Sequence, residues 1–175
     1  QHNTDTLQTE LLYLQAVAQR LLKQTDSALI TTKTIITLMP EHARAFQEQG
    51  YLYREKGHFA EAAAAFYRAT QKNPALVSSW QPLLELSQAQ QNNDAHHPAN
   101  AASSLATQQL HYLTNLPKPI LGALDLFYDG NLQAAEQVSR RFLQQNGHHP
   151  EGMLLLAKIG IVLNIYRDAE FLLES

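Results

Sequence analysis

Between Ala43 and Pro74 the apolar and small residues recur at helical spacing. Phe46, Gly50 and Tyr53 share one face at i, i+4 and i+7, and Phe59, Ala62, Phe66 and Ala69 share another, so ARAFQEQGYLYREKGHFAEAAAAFYRATQKNP predicts two amphipathic helices joined by a tight turn. Gly50 and Ala62 mark places where helix axes approach closely, the aromatics fill the space around them, and Pro74 stops the second helix.

The same pattern returns about every 34 residues. Upstream of Gly50, Ala62 and Pro74 by that step stand Ala16, Ala28 and Pro40, with Leu12 in the place of Phe46. They predict a first helix through LLYLQAVAQRLL and a second through SALITTKTIITL, the latter capped by Asp26 or Ser27, which would accept orphan backbone N–H groups. Read alone, the β-branched run favours a strand; the repeat phase makes it a helix. Downstream, Trp80 stands for Phe46 and Leu84 for Gly50, so VSSWQPLLELSQAQ opens a third unit, with Pro82 tolerated in the first turn behind a Ser78 or Ser79 cap. The phase then slips through the polar loop QQNNDAHHPAN, a five-residue insertion, and resumes with Ala101, Ala135 and Ala169. Gly130 recurs where Gly57 stood, and Leu132 and Tyr166 where Phe59 stood. The expected architecture is all-α, a single domain over 1–175, in units near 9–40, 43–74, 77–116 with its loop at 90–100, 117–150 and 151–175. The chain opens without Met and stops inside the helical pattern of the fifth unit, so it reads as a fragment of a longer protein.

The places Phe46, Gly50, Tyr53, Phe59, Ala62, Phe66, Ala69 and Pro74 resemble a tetratricopeptide repeat. The resemblance implies a right-handed α-solenoid of about five antiparallel helix pairs, its inner groove lined by the first helix of each pair, acting as a non-catalytic scaffold for a protein, a peptide or a neighbouring domain of the same chain. By offset, the groove residues are Glu10, Tyr13, Val17, Arg20 and Leu21 in the first unit, Arg44, Gln47, Tyr51, Arg54 and Glu55 in the second, and Ser78, Gln81, Glu85, Gln88 and Ala89 in the third. Tyr13, Val17, Gln47 and Tyr51 do not form the Lys/Asn clamp by which one subclass grips chaperone tails. The fourth and fifth units place Ile120, Leu124, Phe127, Tyr128, Leu154, Lys158, Ile161 and Val162 on the equivalent surface, an apolar set read either as packing or as a partner face. A homodimer through Ile120, Leu124, Phe127 and Ile161 is a further reading.

The C-terminal stretch is also similar to the repeat region ahead of the catalytic domain in bacterial tetratricopeptide-repeat sulfotransferases. The resemblance lies in Trp80, Leu83, Ala135, Glu136, Phe142, Leu143, Pro150, Ala157, Tyr166, Asp168, Ala169, Leu172 and Leu173. It implies an accessory region of an enzyme, with no catalytic residue of its own.

Composition narrows the function classes. Hydrophobic residues make up 45% and charged residues 17%, as in a folded domain, and a net charge of −3 offers no footprint for nucleic acid or an anionic membrane. There is no cysteine, hence no disulfide, thiolate nucleophile or sulfur-ligated zinc. His96, His97, His148 and His149 stand as adjacent loop pairs rather than at the i, i+4 spacing of helical metal ligands. Glycine-rich phosphate loops and the GxSxG elbow are absent, and Glu48, Glu55, Glu61 and Glu85 read as i, i+4 partners of Arg44, Arg54 and Arg68. No enzyme activity, cofactor, metal, nucleic-acid or membrane partner is expected within this stretch, and its place is expected to be cytoplasmic.

Overall fold

The computed structural model describes residues 2–90 and 99–165, and every regular element among them is an α-helix. In order these are α1 (His2–Leu21), α2 (Thr25–Leu38), α3 (Ala43–Glu55), α4 (Phe59–Lys72), α5 (Val77–Gln90), α6 (Ala99–Asn115), α7 (Lys118–Tyr128), α8 (Leu132–Asn146) and α9 (Pro150–Val162). Contacts gather into two compact units, Gln1–Leu110 and His111–Ser175. Most of the loop at 90–100, His96 and His97, and the second helix of the fifth unit with Tyr166, Asp168, Ala169, Leu172 and Leu173 lie outside the described residues.

In the first unit the pairs α1/α2 and α3/α4 stack through small residues. Phe66 is fully buried and its ring lies over Gly50, where an added Cβ would come within 2.6 Å of it. Ala16, Ile35 and Ala45 form one apolar cluster with Leu12, Tyr13 and Ile36 around it. Ala43, Phe46, Ala69 and Leu76 form another, so each cluster ties one pair to the next. The β-branched α2 is helical throughout, and Thr31, Thr34 and Thr37 each donate a hydroxyl hydrogen bond to the carbonyl four residues back.

The turns inside the pairs repeat atom for atom. Gln24, His58, Asn131 and Ile165 each donate an N–H five residues back, to Gln19, Tyr53, Leu126 and Gly160, at 2.8–2.9 Å. The residue before each is left-handed: Lys23 (φ 61°), Gly57 (78°), Gly130 (80°) and Asn164 (60°). This Schellman closure turns the chain in three residues and satisfies the last carbonyls of the first helix.

Two expected caps are elsewhere. The N-cap of α2 is Gln24, which puts Asp26 in the first turn, where it pairs with Lys56 at 2.7 Å, and Ser27 inside the helix. Helix α5 starts at Val77, so Ser78 and Ser79 are helical rather than caps and Pro82 is its sixth residue, beyond the first turn. The early start follows from a tight link after α4: buried Asn73 accepts a hydrogen bond from the Ala75 N–H at 2.9 Å, and the Trp80 indole donates to the Pro74 carbonyl at 2.8 Å.

In the second unit, α7, α8 and α9 close around Ile120, Ala123, Ala135, Phe142, Leu155, Leu156 and Ile159, all buried. Pro119 is the second residue of α7 and Pro150 the first of α9, both in the first turn, where a missing N–H costs nothing. Gly152 lets α9 approach α8, since a Cβ there would meet the Leu143 side chain at 2.9 Å.

Candidate interaction surface

The repeat places α1, α3 and α5 as the first helices of successive pairs, and their side chains meet in one network. Arg20 of α1 donates through Nε to Glu48 of α3 at 2.6 Å and more weakly through Nη2 at 3.4 Å. That hydrogen bond, opposed in part by burial, raises the Arg20 pKa. The Arg20 guanidinium also lies 5.2 Å from the Tyr51 ring centroid, and that of Arg54 lies 5.9 Å away. The ring meets Phe66 edge-on at 5.1 Å. Two cations beside one aromatic ring, which rests on a buried phenylalanine, hold Tyr51 in place.

The Tyr51 hydroxyl donates to the carbonyl of Ser78 on α5 at 2.8 Å, and Gln47 donates to the Ser78 hydroxyl at 2.6 Å and to the Tyr51 oxygen at 3.2 Å. Pro82 explains this geometry. Lacking an N–H, it leaves the carbonyl four residues back without an intrahelical donor, and that carbonyl belongs to Ser78. Further along, Arg54 meets Glu85 at 3.3 Å in an exposed pair.

Of the sequence-predicted residues, Arg20, Gln47, Tyr51, Arg54 and Glu85 are thus brought together with Ser78. Tyr13 is half-buried instead, against His42 at a ring distance of 5.4 Å and beside the Ala16–Ile35–Ala45 cluster, and burial followed by the Glu48 charge raises its pKa. Sequence reasoning missed Glu48, which is buried and reaches across to Arg20, 28 residues upstream. Glu55 likewise pairs with Lys23 of the preceding unit and Glu85 with Arg54, so these carboxylates bridge repeats rather than turns of one helix. The usable signal was the repeat step itself: partners one unit apart stand near 30 positions apart.

The C-terminal set divides. Ile120 is 2% and Leu124 9% exposed, so both are core residues rather than surface ones, because α7 turns that side toward the interior of its unit. Phe127 is half-buried and meets Tyr128 edge-on at 5.2 Å. Tyr128, Leu154, Lys158, Ile161 and Val162 are exposed. His148 is exposed and His149 sits edge-on to Phe142, its Nδ1 buried without a partner. Among the described residues no group of three His, Asp or Glu side chains is placed to hold a metal ion, and no helix is long and apolar enough to cross a membrane.

These features define an all-helical repeat protein of the α-solenoid class, and comparison with solved structures gives the same class. The chain is similar to a tetratricopeptide repeat protein from Parabacteroides merdae ATCC 43184 (TM-score 0.51, 15% identity, 96% of this chain and 64% of that one). It is similar also to MamA protein (0.52, 12%, 95% and 88%) and to TTC0263, a thermophilic protein of the same repeat type in Thermus thermophilus (0.50, 15%, 94% and 87%). The chain therefore has the tetratricopeptide-repeat fold, and it spans less than two thirds of the first of these relatives. No protein-family model and no curated protein matches it.

Proposed function

We propose that residues 1–110 form a non-catalytic scaffold that holds a peptide or protein segment along the row of first helices α1, α3 and α5. The observation that carries this reading is the Tyr51 cluster, in which an aromatic ring, two guanidiniums and an exposed Arg54–Glu85 pair lie on consecutive repeats. An extended segment needs donors, acceptors and an aromatic edge in a row, and this row offers all three. Within it the roles separate. Arg20, Glu48 and Gln47 are committed to bonds inside the protein and fix the surface, whereas Arg54 and Glu85 are exposed and exchange their weak mutual contact for contacts to a partner.

The test starts from peptides selected from a random phage-displayed library against residues 1–175, with affinities measured by fluorescence anisotropy. Replacing both Arg54 and Glu85 by Ala is expected to weaken the selected peptides about tenfold or more, equivalent to about 1.4 kcal/mol. Lys33→Ala on α2 is expected to leave affinity unchanged. Equal affinity for the Arg54/Glu85 double variant and the parent would sink the assignment. Tyr51→Ala is the poorer probe, because it also uncovers Phe66.

A further inference from the structure

Helix α1 carries apolar residues on two opposite faces. One face, with Thr9, Leu12, Tyr13 and Ala16, packs inward on its own unit. The other carries Leu7, Leu11, Leu14, Ala18 and Leu21 at alternating spacings of four and three, the a/d seam of a coiled coil. Those four leucines and the adjoining Leu22 are each 61% to 69% exposed. A helix apolar on two opposite faces is built to pack on both sides, and the outer seam of α1 lacks its cover.

The repeat shows what kind of neighbour such a face takes. One unit on, the places of Leu11, Leu14 and Ala18 are held by Ala45, Glu48 and Leu52, all buried. Ala45 packs on Ala16 and Ile35, and Glu48 bonds to Arg20, all from the preceding pair. In α5 the same places hold Ser79, Pro82 and Leu86, again buried. In α3, then, this register is covered by the preceding helices.

We infer that the α1 seam is covered by the α1 seam of a second copy of this chain, the two helices antiparallel about a two-fold axis at Leu14. The seam is self-complementary in that arrangement: Leu7 meets Leu21 of the second copy, Leu11 lies beside its Ala18, and the small Ala18 admits close approach. No seam position is charged. Glu10, the one charge at the flanking positions 8, 10, 15, 17, 22 and 24, is carried roughly 12 Å along the axis from its counterpart, so the copies bring no like charges together. Five leucines per copy present on the order of 1,000 Å² of apolar surface in total, near the lower bound of a specific interface.

The chain has no cysteine, which makes the geometry directly testable. Sedimentation equilibrium at micromolar concentration is expected to return twice the 19.6 kDa of the chain, and Leu11→Glu with Leu14→Glu to return the monomer with its helical circular dichroism intact. On mild oxidation Leu14→Cys is expected to cross-link into a dimer, and Leu7→Cys, far from its counterpart in the antiparallel pair, is not. A monomeric parent would overturn the inference and leave the seam to a preceding repeat, as in α3, or to a helix of another protein. A dimer that survives both glutamates, or Leu7→Cys cross-linking as readily as Leu14→Cys, would equally overturn it.

Discussion

Glycine acts in two distinct ways in this chain, and substitution separates them. At Gly50 the constraint is space: a Cβ would sit 2.6–2.8 Å from three atoms of the Phe66 ring, which is itself fully buried and has nowhere to go. Gly50→Ala is expected to lower stability by about 1–3 kcal/mol in urea unfolding. Gly152→Ala should cost less, since the atom it meets is the free end of Leu143. At Gly57 and Gly130 the constraint is backbone: φ is positive and no atom lies within 4 Å, so Gly57→Ala is expected to cost about 1–2 kcal/mol through conformation alone. The packing glycine was legible from its helical spacing to Phe46 and Tyr53. The left-handed turn was legible at Gly57 and Gly130, less so at Asn164, where asparagine has a weaker preference for that conformation, and not at Lys23, where only the repeat phase marks the position.

Tyr112 gives a second measurement at this scale. Its hydroxyl donates to Glu151 at 2.9 Å, and burial, that hydrogen bond and the Glu151 charge push its pKa up to about 12 from the ordinary 10.0. Because the neutral phenol is the form that folding favours, the stabilisation is complete below pH 10 and is lost as pH rises from 10 through 12. The phenolate absorbance assigned by difference with Tyr112→Phe should emerge near pH 12, and Glu151→Gln should bring it back toward 10. A titration unmoved by Glu151→Gln would show that the contact does not persist in solution.

At the scale of elements, apolar spacing determines which helices exist more firmly than where they begin. All nine described helices were legible from that spacing and the 34-residue phase, including the β-branched α2. The starts of α2 and α5 were not. Asp26 and Ser79 have the chemistry of caps, yet the tight Schellman turn and the Asn73–Ala75 link begin each helix earlier than a side-chain cap would. That early start carries Pro82 into the helix body and turns a local cost into a tertiary contact, the Tyr51 bond to the Ser78 carbonyl. A double-mutant cycle measures it. Tyr51→Phe is expected to cost about 1 kcal/mol in the parent and close to nothing in Pro82→Ala, where the restored N–H takes the carbonyl. Additive effects would mean that the proline and the tyrosine act separately.

At the scale of the whole molecule, the first unit is held by neighbour-to-neighbour contacts. Four of its ion pairs run from one repeat to the next, Arg20 to Glu48, Asp26 to Lys56, Lys23 to Glu55 and Arg54 to Glu85, while Lys72 to Glu41 closes the α3/α4 pair on itself. The exposed ones contribute little individually, about 0–1 kcal/mol. Arg20–Glu48, with its carboxylate buried, contributes more to geometry, because it holds α1 and α3 in the register that assembles the Tyr51 cluster. The row of first helices was legible from the inner side that the repeat resemblance implies, and repeat offsets then put Gln47, Tyr51, Arg54 and Glu85 together on it. The apolar set at Ile120 and Leu124 was misplaced by the same offsets, since α7 buries there what α3 leaves at its surface.

The partner row proposed along α1, α3 and α5 can be watched residue by residue. Backbone amide resonances of isotope-labelled residues 1–175, followed as a selected peptide is added, test it most directly. The account predicts that the largest shifts gather at Gln47, Tyr51, Arg54, Ser78 and Glu85. Shifts gathered instead on the outward sides of α2 and α4, around Lys33 and Tyr67, would contradict it.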